Sequence, residues 1–244
     1  MKYLVSPLIV MIFWVLSPQQ LEAQHIYAGP ALGINMTSMA GFSYHYDEPH
    51  SMNGQFIGIK TGAVGIFEIA EGFALQTELL YSRKGQRLDL DWDTTDYSQK
   101  GSRTIGLSYF EIPVMVKKFF GSDGVRAYVN AGPYWGYWMG GSDKYSLKQY
   151  LPDATNEISN ETDFDFNAFT DQSPYSYQRW DMGLTLGGGF SYETGPGLFM
   201  IDIRYSIGYR DLYKWADQTS LPADYRELKT KAFSLSFGYL WDLY

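Results

Sequence analysis

The strongest constraint on this chain is a two-residue alternation of side-chain type that recurs along its length. In the C-terminal run AFSLSFGYLWDLY, residues 232–244, large apolar side chains occupy every second position. Successive side chains of a β-strand point to opposite faces of the sheet. As a strand, this segment therefore has one large apolar face and one small, polar face made by Ser234, Ser236 and Gly238. A strand of a water-soluble domain would turn the apolar face to a core and show solvent a more strongly polar one.

The first residues, MKYLVSPLIVMIFWVLSPQQLEAQ, have the layout of a secretory signal peptide. A basic Lys2 precedes an apolar run over residues 3–16, and Leu21-Glu22-Ala23 stands at the expected cleavage point before Gln24. The sequence predicts a signal peptide over residues 1–23 and a mature domain over residues 24–244. An uncleaved anchor is the alternative, but the apolar run is shorter than the roughly 20 residues of a spanning helix.

Composition excludes several classes of function. The chain has no cysteine, which rules out thiol catalysis, thiolate metal sites and disulfides. Its formal net charge of -8 argues against a nucleic-acid partner, which needs a basic surface. Nothing in the sequence indicates a cofactor.

Alternation of large apolar with small or polar residues recurs in eight runs. Short turns of turn-forming residues at 70–72, 121–124 and 193–197 alternate with long polar segments at 37–54, 85–103, 140–178 and 210–230. This pattern predicts an all-β fold, an eight-stranded antiparallel up-and-down transmembrane β-barrel with both termini on the periplasmic side. Around Ile105 and Leu107 the parity is opposite to that of Phe110 and Ile112, which predicts a bulge there. The runs cover residues 26–36, 56–69, 73–84, 108–120, 125–139, 180–192, 199–209 and 232–244.

Two all-β barrels with opposite faces compete for this pattern. A soluble lipocalin-like barrel turns its apolar face inward around a small ligand. A transmembrane barrel turns the apolar face to lipid and fills its lumen with polar side chains. The polar face here is crowded with glycine, which suits a narrow lumen, so the pattern favours outer-membrane lipid as the surrounding solvent.

The order of several motifs resembles the PorT-like outer-membrane β-barrel family. These motifs are YFEIPVMVKKFF, VRAYVNAGPYWGY, DMGLTLGGGFSY, DIRYSIGYRDL and FSLSFGYL. The resemblance implies a location in the outer membrane of a diderm bacterium, and some members are associated with protein secretion. The last strand also resembles the signal read by the barrel-assembly machinery, with Ser236, Gly238, Trp241 and Leu243 at matching positions.

The polar face carries a set of charges that we expect inside the lumen. They suit a conduction path or an active site, but an eight-stranded barrel is just wide enough for side chains to fill. Unpaired buried charges are costly, so a paired structural plug is favoured. The set is Lys60, Glu68, Glu78, Lys84, Glu111, Lys117, Arg126, Asp181, Asp202 and Arg204.

The remaining candidates lie in the long polar segments. A lipid-modifying enzyme needs a serine near a histidine, but the only histidines are His25, His45 and His50, and no motif joins one to a nucleophile. The run DLDWDTTD offers carboxylates with the spacing of a calcium loop but lacks its glycine, and a solvated acidic segment is favoured. We expect a non-enzymatic structural or interaction protein, linked to secretion or to a protein or carbohydrate partner at the long loops.

Overall fold

The computed structural model describes residues 25–41, 51–93, 98–121, 124–150, 155–163, 175–215 and 225–243. Its regular structure is entirely β. The predicted signal peptide, His45 and His50 lie outside the described residues. The strands are β1 (Ile26–Ala40), β2 (Ser51–Gly54), β3 (Phe56–Ala70), β4 (Phe73–Asp93), β5 (Ser98–Phe120), β6 (Val125–Tyr150), β7 (Thr155–Asp163), β8 (Tyr175–Tyr177), β9 (Trp180–Thr194), β10 (Gly197–Gly208), β11 (Tyr213–Trp215) and β12 (Lys229–Asp242).

All strand pairs in the described residues are antiparallel. The long strands follow the order β1–β3–β4–β5–β6–β9–β10–β12, and β12 pairs back with β1. Strand β2 adds to β4, β7 adds to β6, and β8 forms a separate two-stranded sheet with β11. No helix in this part of the chain is long and apolar enough to cross a membrane. The predicted all-β antiparallel class is confirmed.

The two faces of the long strands are those that the alternation predicts. In β12, Phe233, Phe237 and Trp241 are exposed, while Ser234 and Ser236 are buried. In β10 the exposed residues are likewise apolar and the buried ones include Asp202 and Arg204. The molecule therefore turns aliphatic and aromatic side chains outward and charged side chains inward, the reverse of a water-soluble domain.

The bulge predicted on β5 lies instead on the neighbouring strand β6. The β4–β5 ladder runs without a shift from Leu80 to Asp93, and Ile105 and Leu107 are buried on the inner face with Tyr109. The register shift lies in the β5–β6 pair at Ser108/Tyr109, where Met139 of β6 is the extra residue. Ile105 and Leu107 break the expected polarity because they pack inward against other apolar residues.

Three strands continue far into segments predicted to be loops. Strands β4, β5 and β6 contain 21, 23 and 26 residues, whereas β1, β3 and β9 contain 15 each. Polar residues continue the ladder there because backbone hydrogen bonds between strands do not require apolar side chains. We call the part formed by β2, β7 and residues 85–93, 98–107 and 140–150 the strand extension.

Two apolar clusters fill the ends of the lumen. The turn-end cluster, beside the short turns, consists of Tyr27, Ala31, Val64, Ile66, Ala74, Phe119, Tyr128, Leu198, Met200 and Leu240. The loop-end cluster consists of Met39, Leu88, Ile105, Leu107, Tyr109, Trp138, Leu212 and Leu228, with Tyr177 and Tyr213 packed against it. Six charged residues, Glu78, Lys84, Glu111, Asp181, Asp202 and Arg204, lie between the two clusters, whereas Glu68 and Arg126 lie near the short turns.

Candidate functional site

The centre of the lumen holds a triad of Arg204, Glu78 and Asp202. Arg204 Nη1 donates to Glu78 Oε2 at 2.8 Å and Nη2 donates to Glu78 Oε1 at 2.6 Å. Its Nε also donates to Asp202 Oδ1 at 2.6 Å. Because β4 and β10 lie opposite each other in the strand order, the bidentate Arg204–Glu78 contact spans the lumen. We call this set the Arg204 triad.

Neutral donors complete the hydrogen bonding of this triad. Tyr128 Oη and Asn130 Nδ2 each donate to Asp202 Oδ2 at 2.9 Å. Gln76 Nε2 donates to Glu78 Oε1 in a short contact. Charge-assisted bonds with several donors are what a buried carboxylate requires.

A second triad, of Lys84, Glu111 and Asp181, lies nearer the loop end. Lys84 Nζ is 2.5 Å from Glu111 Oε1 and 3.7 Å from Asp181 Oδ2. Thr230 Oγ1 and Tyr134 Oη donate to Asp181 Oδ2 at 3.0 and 3.2 Å. The Lys84 ammonium also lies 4.6 Å from the centre of the Tyr134 ring. We call this set the Lys84 triad.

A separate ion cluster lies near the short turns. Arg126 Nη2 is 3.1 Å from Glu68 Oε1 and 2.5 Å from Glu193 Oε1, and its guanidinium lies 4.2 Å from the Phe119 ring centre. It ties the ends of β3 and β9 to the start of β6. Glu193 was not among the predicted lumen charges because it belongs to the turn sequence ETGPG.

Two predicted lumen residues, Lys60 and Lys117, are buried without an ion pair to any described residue. Lys117 Nζ lies 3.3 Å from Met200 Sδ and 3.6 Å from the Tyr128 ring centre. Lys60 borders two small cavities, of which one is also lined by Glu78 and the other by Glu111. The predicted charges are thus brought together in the lumen, but as separate groups rather than as one chain of pairs.

Inward aromatic side chains were missed by sequence reasoning. Tyr109, Tyr128, Tyr134 and Trp138 are buried and contact or flank the triads. They occupy positions that alternate with outward apolar residues, so strand parity was the signal that would have found them. An aromatic residue type alone does not distinguish a position facing lipid from one packed in the lumen.

Glycines of β9 make room for these inner side chains. A Cβ at Gly187 would lie 2.5 Å from Arg204 Cγ, and one at Gly189 would lie 2.7 Å from Tyr128 Oη. A Cβ at Gly183 would lie 2.6 Å from Tyr134 Cε1. This close approach agrees with the expectation that the glycines of the polar face suit a narrow lumen.

The four residues of the predicted assembly signal lie along β12 and just beyond it, and do not converge on one another. Ser236 is buried in the lumen. A Cβ at Gly238 would lie 3.5 Å from both Ala31 Cβ and Met200 Cε. Trp241 and Leu243 are exposed on the outer face beside Tyr239, whose ring is tilted against that of Phe199 with the two ring centres 4.7 Å apart. Their outward aromatic setting is that of an interfacial belt.

Among the described residues, the other candidates form isolated contacts and no catalytic or metal-binding arrangement. His25 Nδ1 is 3.0 Å from Asp242 Oδ2 at the exposed start of the domain, with no serine in that contact. Asp89 contacts Arg87 and Asp91 contacts Lys100, both on strand β4 rather than in a wrapping loop. Asp93 ends that strand, and Asp96 lies outside the described residues. In the described part of the chain, no group of three or more histidines, aspartates or glutamates is arranged to hold a metal ion.

The strand extension presents an exposed edge. All nine residues of β7 are exposed, and β7 pairs only with β6 among the described strands. Lys144–Glu161 and Lys148–Glu157 contacts of 2.7 and 3.3 Å link the two strands. Ile158 and Tyr150 are exposed apolar side chains on this surface.

Comparison with known proteins gives a family. The model for the outer membrane protein beta-barrel domain matches residues 19–214. No curated protein matches the chain. Similar solved structures include Ail of Yersinia pestis with a heparin analogue bound (12% identity, 89% of this chain and 99% of that chain, TM-score 0.37) and the neisserial surface protein NspA (12%, 88% and 96%, 0.39). OprG of Pseudomonas aeruginosa is similar at 12% identity over 89% of this chain and 94% of that one, with a TM-score of 0.38.

TM-scores below 0.5 do not establish a shared fold, so the assignment depends on the family match and on the inverted distribution of polar and apolar side chains. The family match covers most of the chain, and the exposed apolar face is what an outer-membrane location requires. This chain belongs to the outer membrane protein beta-barrel domain family.

Proposed function

We propose that this chain is a closed, non-enzymatic outer-membrane barrel that holds the strand extension outside the cell as a surface for a macromolecular partner. In this proposal the strands that complete the pairing order form an eight-stranded up-and-down barrel. The termini face the periplasm and the strand extension faces outward. The narrower PorT-like assignment and a role in secretion remain predictions from the motifs quoted above.

The observation that carries the proposal is the length of β4, β5 and β6. A transmembrane β-strand needs about 9–11 residues. Strand β6 is 11 residues longer than β9, which adds about 36 Å of ladder. Five strand segments paired side by side make a rigid surface, and rigid scaffolds are where binding surfaces concentrate.

The filled lumen supports a scaffold rather than a channel. Ion-paired triads occupy the centre and apolar clusters occupy both ends. An open aqueous channel needs many more strands. The soluble lipocalin alternative is not favoured, because this molecule buries charges and exposes apolar residues.

The chain has no cysteine, which permits a direct test of orientation. Single cysteines are introduced as Ile158→Cys on β7 and as Glu71→Cys in the β3–β4 turn, both at exposed positions. In intact cells, a membrane-impermeant maleimide should label Ile158→Cys but not Glu71→Cys, and both should react after lysis. Labelling of Glu71→Cys alone in intact cells would reverse the proposed orientation.

Partner binding is tested by placing a photo-crosslinking amino acid at the same two positions. On intact cells grown together with the organisms that normally surround them, we expect the cross-linker at Ile158 to form a discrete protein or glycan adduct. The cross-linker at Glu71 should form none. The same amino acid at Leu184, an exposed position of β9 on the surface expected to face lipid, is the control for lipid adducts. Lipid adducts alone at Ile158 would contradict an external binding surface.

A further inference from the structure

The central lumen holds equal numbers of cationic and carboxylate side chains. Four cations, Lys60, Lys84, Lys117 and Arg204, face four carboxylates, Glu78, Glu111, Asp181 and Asp202, so the group is neutral as a whole. The ion pairs are unevenly distributed, however. Arg204 contacts two of the carboxylates and Lys84 contacts the other two, so these two cations form all of the ion pairs in the group. Each triad holds one cation and two carboxylates and so carries a net charge of -1.

Lys60 lies beside both triads. Its side chain is only 9% exposed, and it has no ion pair to a described residue. Two small cavities share Lys60, Leu80 and Arg204 in their walls. One of them reaches Glu78 of the Arg204 triad and the other reaches Glu111 of the Lys84 triad.

Water in the two cavities can connect Lys60 to the carboxylates of Glu78 and Glu111. Each cavity has room for about one water molecule and is lined by polar groups that can bind it. Besides the carboxylates, Ser236 borders one cavity, while Thr185 and Ser206 border the other. Carboxylate and hydroxyl oxygens together with water are the ligands that hard cations take.

We propose that the Lys60 ammonium is a tethered cation that occupies a monovalent-cation site between the two triads and is bridged to Glu78 and Glu111 through water. A water bridge is nearly as favourable as a direct hydrogen bond, and it explains how a buried ammonium persists without an ion pair. Removal of the amine leaves a site of net negative charge, with space for K⁺ or NH₄⁺.

Lys117 provides the matched control. It is also buried and without an ion pair to a described residue, but it lines neither of these cavities and contacts Met200 Sδ and the rings of Tyr128 and Phe119. Cation–π and sulfur contacts surround it with polarisable atoms instead of oxygen ligands. Its removal therefore leaves no oxygen-lined site for a free cation.

The test measures thermal stability in salts that differ only in the cation. Mature protein carrying Lys60→Ala, Lys60→Gln or Lys117→Ala is refolded in detergent in chloride salts of potassium, ammonium or N-methyl-D-glucamine at equal ionic strength. The readout is the temperature at which half of the protein loses its folded mobility on a gel. For wild type, the half-transition temperature should be the same in all three salts. The half-transition temperature of Lys117→Ala should likewise not depend on the salt.

For Lys60→Ala we expect a half-transition temperature about 10 °C below wild type in N-methyl-D-glucamine, because the triads lose their compensating charge. Potassium or ammonium should restore most of this loss in a saturable way. Equal stability of Lys60→Ala in all three salts would overturn the cation site.

Lys60→Gln provides a second measurement if Lys60→Ala does not fold. It keeps most of the side-chain volume and its hydrogen bonding but removes the charge, so it should be less stable than wild type in every salt. Wild-type stability of Lys60→Gln would show that the triads need no cation here and would overturn the proposal. These outcomes do not depend on the external partner proposed above.

Discussion

At the scale of single residues, ion pairs of similar length contribute differently to stability because their surroundings differ. The Arg204–Glu78 contact is buried in the lumen, whereas the Arg87–Asp89 contact of 2.8 Å lies on an exposed part of β4. Removing one partner of a buried pair leaves an uncompensated charge, but an exposed partner is simply rehydrated.

We therefore expect Arg204→Met to lower the free energy of unfolding by about 3–5 kcal/mol, because Glu78 and Asp202 both lose their cation. Urea unfolding of the protein in lipid vesicles measures this change. The control Arg87→Met should cost at most about 1 kcal/mol. Similar losses for the two variants would mean that water reaches the Arg204 triad.

A second residue-scale prediction concerns the inner glycines of β9. A Cβ at Gly189 would lie 1.9 Å from the carbonyl oxygen of Ile201, so Gly189→Ala forces β9 and β10 apart. We expect a loss of about 1–3 kcal/mol in unfolding free energy by overpacking. Gly195→Ala is the control, since a Cβ there meets no heavy atom within 4 Å. Equal stability of the two variants would contradict the close approach.

At the scale of elements, one carboxylate joins the two chain segments that carry Leu212 and Leu228 of the loop-end cluster. Asp211 Oδ1 accepts hydrogen bonds from the backbone N–H of Tyr213 at 3.1 Å and of Leu228 at 3.0 Å, and Oδ2 accepts one from Tyr225 Oη. Leu212 N–H also donates to the Leu228 carbonyl at 3.0 Å. These contacts fix Leu212 and Leu228 over the end of the lumen.

Asp211→Ala should release this segment while leaving the barrel folded, since the ladder of long strands is untouched. Trypsin should then cut at Lys214 and Arg226 many times faster, with little change in the thermal transition. Asp242→Ala, which removes a carboxylate near the opposite end, should leave the trypsin pattern unchanged. An unchanged pattern for Asp211→Ala would show that packing alone holds the segment.

At the scale of the whole molecule, the proposed orientation implies that exposed apolar residues face two different solvents. Leu186, near the middle of β9, is 65% exposed, and Ile158, in the strand extension, is 58% exposed. An arginine facing lipid near the membrane midplane is costly, but one facing water is not. The same substitution therefore distinguishes lipid from water at positions of nearly equal exposure.

We expect Leu186→Arg to lower the unfolding free energy by about 2–4 kcal/mol in lipid vesicles. Ile158→Arg should remain within about 0.5 kcal/mol of wild type. Urea titration followed by tryptophan fluorescence compares the two. A neutral Leu186→Arg would place that face in water and restore the lipocalin alternative.

The sequence by itself determined which face of each long strand meets lipid, because a period of two is a local property that survives without any tertiary information. It also placed the short turns and the inner position of Glu78, Asp202 and Arg204. It did not reveal where β4, β5 and β6 end, since a polar ladder and a polar loop have similar compositions. It also did not reveal that the side chains of Ile105, Tyr109 and Trp138 point into the lumen, because an apolar residue type alone does not distinguish a position facing lipid from one packed in the lumen.

Only the tertiary structure decided which charges pair. Glu78 and Arg204 are 126 residues apart and meet because closure of the sheet sets β4 opposite β10. The same closure gives both carboxylates of each triad to one cation and leaves Lys60 beside two cavities. Strand register and the arrangement around the lumen fix these distances, and neither is encoded in the alternation of any single strand.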